Sequence, residues 1–168
     1  MQTLAEIDEK LKKTRKALNS IRYAMGNISA KEFHDYVTGE IFSEDTTTLR
    51  DVLDNEYLMI HEVAEINELK KMGRIINKRV IVESPKTVIY EAHFRAIELE
   101  LNYALFKKDY FWVKMRLKAH KDSVLENDPN LPKTLRPRGE EILEKFNAQM
   151  AKKASPNMNI KSRIQKHQ

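Results

Sequence analysis

Cysteine is absent from the 168 residues, and glycine and proline occur only four and five times. The first absence excludes a disulfide framework, a cysteine zinc site and a thiol nucleophile, and agrees with an intracellular protein. The scarcity of Gly and Pro favours long helices with few tight turns. No apolar run approaches the about 18 residues of a membrane span, and the opening MQTLAEIDEKLKK lacks the unbroken apolar stretch of a signal peptide. The expectation is a soluble, cytoplasmic protein with no membrane partner. Also missing are a glycine-rich phosphate loop, a GxSxG elbow and a zinc ribbon, so nucleotide-cradling and acyl-transfer chemistry lack their parts. The aromatic residues sit at helix-packing positions and do not alternate with basic ones, as a base-stacking platform would require.

What is present is charge: 33% of residues are Asp, Glu, Lys or Arg, with a net charge of +5 and a pI near 9.3. The surplus is local. Residues 151–168 carry Lys152, Lys153, Lys161, Arg163 and Lys166 and no acid, and the remaining 25 basic residues balance 25 acidic ones. The body up to residue 150 is neutral, and only the segment from 151 on reads as a basic arm that suggests nucleic acid weakly, with 155–168 read as a basic, disordered tail. The length suits one domain with a proper core, here residues 1–154.

Helical signals run through that domain. Leu4, Ile7, Leu11, Thr14, Leu18, Ile21 and Met25 recur at spacings of three and four behind a Thr3/Glu6 capping box, predicting a helix over 4–25. Ser29 and Glu32 form a second capping box before a short helix. A long helix is predicted from Thr48 to Met72, stopped by Gly73. Residues 74–82, RIINKRVIV, are β-branched and basic and admit a small β-hairpin. Ser84-Pro85 starts a helix through Phe106, with Glu91, Arg95, Glu98 and Asn102 as its solvent stripe. Lys107-Lys108-Asp109 turns the chain into an antiparallel arm to Leu125. A proline-rich loop at 127–138 precedes a last helix to Lys153. The fold class is all-α: an irregular bundle of five or six helices.

Two sets of polar residues fall where apolar ones belong. His93 and Glu100 point into the apolar side of the 87–106 helix, and a buried imidazole and carboxylate cost several kcal/mol unless partnered. Asp54, His61, Glu65 and Glu68 form a strip on the preceding long helix. His61 and Glu65, the ends of an H-E-x-x-E sequence, are i,i+4 neighbours and can chelate one divalent ion from one helix face. This shares only the first half of the H-E-x-x-H zinc signature, so nothing carries over from those enzymes. His34-Asp35 looks like the paired ligand of HD-type phosphohydrolases but has no histidine before it.

The pattern gives two expectations. In one, His61, Glu65 and His93 ligate a divalent metal (manganese, zinc or magnesium), with Glu100 or Glu68 as further ligand or general base and metal-bound water as nucleophile of a hydrolase. In the other, the inward polar residues hydrogen-bond one another as a core network. The protein is then a non-catalytic interaction module, pairing as a homodimer or with another protein through the Leu4–Met25 seam or the Trp112 side.

Overall fold

Ser84-Pro85 does begin the central element. In the computed structural model, which describes residues 2–154, Pro85 takes an extended conformation (φ −56°, ψ 141°) and α6 runs from Lys86 to Phe106. The Pro85 carbonyl accepts the first helical bonds, from the Val88 and Ile89 amides. Around α6 stand α1 (Gln2–Ser20), α2 (Ala30–Thr38), α3 (Leu49–Leu53), α4 (Glu56–Lys71), α5 (Val80–Glu83), α7 (Tyr110–Ala119) and α8 (Arg136–Ala154). The described residues form an all-α bundle and contain no strand.

The centre of the bundle is α4 packed along α6. Ile60, Val63, Ala64 and Ile66 of α4 and Ala96, Leu101 and Ala104 of α6 are all 0% exposed. The alanines let the two backbones approach closely, and the branched residues fill the space between them. α1 closes one side: Ile7, Leu11, Thr14 and Leu18 are buried against α2, α4 and α6. The middle of the three-four seam, Ile7 to Leu18, therefore packs within the chain, and Leu4 at its start is exposed. Leu11→Ala or Leu18→Ala should cost about 2–5 kcal/mol by opening a cavity there, a loss that denaturant titration would register independently of protein concentration.

Several boundaries depart from the sequence reading for local reasons. α1 takes in Thr3 and stops at Ser20. Arg22 sits at φ 63°, and the Tyr23 amide turns back to the Leu18 carbonyl, the left-handed cap that ends many helices. The predicted helix over 48–72 is two helices. Thr48 and Asp51 make a capping box for α3, and Asn55 caps α4 by accepting from the Tyr57 and Leu58 amides. The turn after Asp109 is as expected, its carboxylate accepting from the Trp112 amide. The helix beyond it changes register, with a π-helical turn at His120–Glu126. The tail from 155 lies outside the described residues.

The β-hairpin at 74–82 is not formed. Gly73 at φ 84° ends the preceding helix, Asn77 accepts from the Arg79 amide, and Val80–Glu83 becomes the short α5. The stretch pairs instead with the end of α2: the Glu40 amide donates to the Lys78 carbonyl at 2.7 Å. Gly39 permits this approach, since a Cβ there would lie 2.6 Å from the Lys78 carbonyl oxygen and 2.7 Å from that of Asp35. Both obstacles are backbone, so Gly39→Ala should destabilise by about 1–3 kcal/mol through overpacking, readable as a lowered denaturation midpoint.

Candidate metal centre

A helix repeat of 3.6 residues places His61 and Glu65 one turn apart on α4, and His93 and Glu100 two turns apart on α6. Because α4 and α6 pack along their length, the two polar strips meet inside the bundle. His61 Nε2 lies 3.3 Å from Glu65 Oε2, and His93 Nδ1 lies 3.1 Å from the same oxygen. The imidazoles stand edge to face, 4.9 Å between ring centres. His61 and Glu65 are buried and His93 is half-buried; one ligand atom from each of the three lies within 4.8 Å of the others. Two donors each about 2.1 Å from a tetrahedral zinc ion stand about 3.4 Å apart, so the observed spacings suit the edges of a coordination polyhedron. They also suit hydrogen bonds.

Glu100 is held differently. Its carboxylate, 0% exposed, accepts from Arg116 Nε at 2.6 Å, Arg116 Nη2 at 2.8 Å and Trp112 Nε1 at 2.7 Å. His61 Nδ1 lies 2.9 Å from Glu100 Oε1. These four neighbours account for the roughly four lone-pair directions of a carboxylate. Burial alone would raise the Glu100 carboxyl, but the His61 bond and the Arg116 charge outweigh it and hold the group below the usual carboxylate range. Every lone pair is engaged, so the geometry makes Glu100 the group that orients His61. Glu68 stands outside the cluster, its Oε1 accepting from Tyr23 Oη at 2.6 Å and Lys71 Nζ at 3.3 Å.

The structure thus joins His61, Glu65, His93 and Glu100 and leaves Glu68 and Asp54 apart, the latter paired with Arg50. It adds partners that periodicity did not single out. The buried Tyr36 hydroxyl of α2 donates to Glu65 Oε1 at 3.0 Å. α7 contributes Arg116 and Trp112, the second by turning its indole N–H inward although its position reads as an apolar one. Glu62, the second residue of the H-E-x-x-E stretch, is half-buried and close enough to feel the charges of Glu65, His61 and Arg116.

The electrostatics follow from this crowding. Burial would lower the His61 pKa, yet the charge of Glu65 and the bond to Glu100 raise it to about 10. Burial would raise Glu65, but the charge and hydrogen bond of His61, with the bond to His93, hold it well below the usual range. Glu62 has no such bond among the described residues, and burial together with the Glu65 charge pushes it up to about 8. Compared with protein-family models, with curated proteins and with solved structures, the chain gives no match.

Proposed function

We propose that His61 Nε2, Glu65 and His93 hold one divalent cation and that the protein is a metal-dependent hydrolase. The observation that carries this reading is the position of His61, which has Glu100 on one ring nitrogen and Glu65 on the other. A ligand histidine commonly gives its second N–H to a carboxylate, which fixes the tautomer and raises the basicity of the nitrogen facing the metal. Glu100, itself anchored by Arg116 and Trp112, takes that supporting place. Two imidazoles and one carboxylate fit zinc or manganese better than magnesium, which prefers oxygen ligands. Three protein ligands leave a position for water, the layout of hydrolytic zinc sites, where the cation supplies an activated nucleophile near neutral pH. Glu62, whose carboxylate has no hydrogen-bond partner among the described residues, takes the general-base role that Glu100 is too fully engaged to fill, the charge of the cation drawing its pKa down from about 8.

One observation favours a second reading. Tyr36, His61, His93, Trp112 and Arg116 together satisfy both buried carboxylates. Such a network can fix the register of α2, α4, α6 and α7 in a non-catalytic interaction module. Metal analysis of the purified full chain separates the two. The metalloprotein reading expects near-stoichiometric zinc or manganese that a chelator removes; purified protein without metal that also takes up none on addition rejects it.

A further inference from the structure

Large apolar side chains are unusually exposed where α6 turns into α7. Phe106 is 60% and Phe111 78% exposed, and Met115, one turn on from Phe111 along α7, is 41% exposed. The two phenylalanines bracket the turn Lys107-Lys108-Asp109, in which Lys108 takes a left-handed conformation (φ 59°). Phe106 also borders an open groove of about 670 Å³ whose far wall is α1, with Lys10, Lys13 and Lys16 along it. That lysine row and the turn therefore share one end of the bundle.

The charge there is one-sided. Two of the acids at this end are paired, Asp54 with Arg50 and Glu56 with Lys107; Asp109 accepts from the Tyr57 hydroxyl and the Trp112 amide and keeps its charge. Lys10, Lys13, Lys16, Lys108 and Lys114 have no ion pair among the described residues. The end thus presents two exposed aromatic rings beside a surplus of ammonium groups over carboxylates, with Lys10 partly offset by the Glu6 charge.

We propose that this end of the bundle docks on an anionic phospholipid surface, with Phe106 and Phe111 entering the headgroup boundary and the lysines facing lipid phosphates. Buried apolar area together with basic residues at the rim is what holds a protein on such an interface. The shape favours lipid over an acidic protein. The groove floor is already closed, Leu53 being 1% and Met59 2% exposed, so the free apolar area lies on the convex turn. A rigid partner would need a matching hollow for it, whereas a bilayer deforms around it. The sequence expectation of no membrane partner rested on the lack of a spanning segment. No helix among the described residues is long and apolar enough to cross a membrane, but lying on one requires none. The proposal is independent of metal binding.

The test is vesicle co-sedimentation of the full chain, using phosphatidylcholine vesicles with and without phosphatidylglycerol, at low and high salt. Wild type should bind the anionic vesicles, lose binding as salt rises, and ignore pure phosphatidylcholine. The tail is common to all variants, so differences report the bundle. Phe106→Ser with Phe111→Ser should reduce the partition coefficient by about tenfold or more, and Lys10→Glu, Lys13→Glu and Lys16→Glu combined should do likewise. All five positions are exposed or half-buried, and a melt of each variant verifies the fold. Lys108→Glu alone provides a milder change in the same direction. Equal binding by wild type and every variant overturns the proposal, as does failure of wild type to bind. Two further results would overturn it by assigning the surface to another occupant. One is retention on polyglutamate without vesicle binding; the other is concentration-dependent dimerisation that Phe111→Ser abolishes while vesicles are ignored.

Discussion

Glu100→Gln is expected to destabilise the fold by about 3–5 kcal/mol, the usual result of removing one partner from a buried ion pair. The side chain keeps its shape, so the loss is electrostatic. The Arg116 guanidinium, only 22% exposed at its side chain, loses its counter-charge. The new amide N–H group also faces at least one of the donors from Arg116, Trp112 and His61, and a buried donor left unmatched costs about 1–3 kcal/mol. Denaturant unfolding of the variant against wild type measures this, followed by the tryptophan signal. Trp112 is the only tryptophan in the chain and touches the mutated group, so its emission should shift even under native conditions. Adding Arg116→Met should recover part of the loss, because the stranded charge is then gone. A loss below about 1 kcal/mol, within the range of ordinary surface changes, would show that Glu100 is not the charged centre of this network.

That expectation could not be read from the sequence, and the reason is specific. Periodicity along α6 correctly placed Glu100 and His93 on a buried side, and caps at Ser29, Asp109 and Gly73 marked real boundaries, because these are signals carried within one or two turns. The partners come from elsewhere. Arg116 lies 16 residues from Glu100, and Tyr36 lies 29 residues from Glu65. Both lie on helices whose placement, α2 against α4 and α7 against α6, no local pattern encodes. Glu98 shows the same limit from the other side. It falls on the stripe that periodicity assigns to solvent, but it is 6% exposed because α8 crosses over it, bringing Arg138 and Lys145 to its carboxylate. The break at Asp54-Asn55 was legible in principle, since Asn is among the preferred N-caps. The apolar repeat continued through it and took precedence. For the candidate metal site, sequence supplied three candidate ligands that the fold brings together, while their partners from α2 and α7 needed the tertiary structure.

Saturating zinc or manganese is expected to raise the melting temperature of the wild type strongly, and by more as pH rises. At a free metal concentration of about 100 times Kd the gain is about 2.7 kcal/mol, or about 5–11 °C for a chain of this size. The pH dependence follows from the groups around the ion. In the metal-free protein His61 holds its proton up to about pH 10, against 6.5 ordinarily. Its contribution is therefore complete below 6.5 and is lost as pH rises through 10. Glu62 acts in the same direction: with its carboxyl at about 8 instead of 4.5, ionising it in place costs stability as pH rises across that interval. Glu65, held low, contributes above about 4.5 and loses that contribution as pH falls through its folded value. Arg116 stays charged throughout and Tyr36 stays protonated, its pKa driven well above 10.0 by burial and the Glu65 charge. Metal-free stability should thus be greatest near pH 4.5–5, where Glu65 is ionised and Glu62 begins to cost stability, and decline toward alkali. A metal ion needs both imidazoles unprotonated, so it competes with protons at His61 and binds more tightly as pH rises. Its increment should grow over the range in which the metal-free protein weakens. Glu65→Gln and His93→Ala should each abolish the increment, and Glu68→Gln should leave it intact. Melts with chelator and with metal at several pH values decide the matter: a wild type that melts alike in both at every pH leaves the cluster as a core network and removes the metal site.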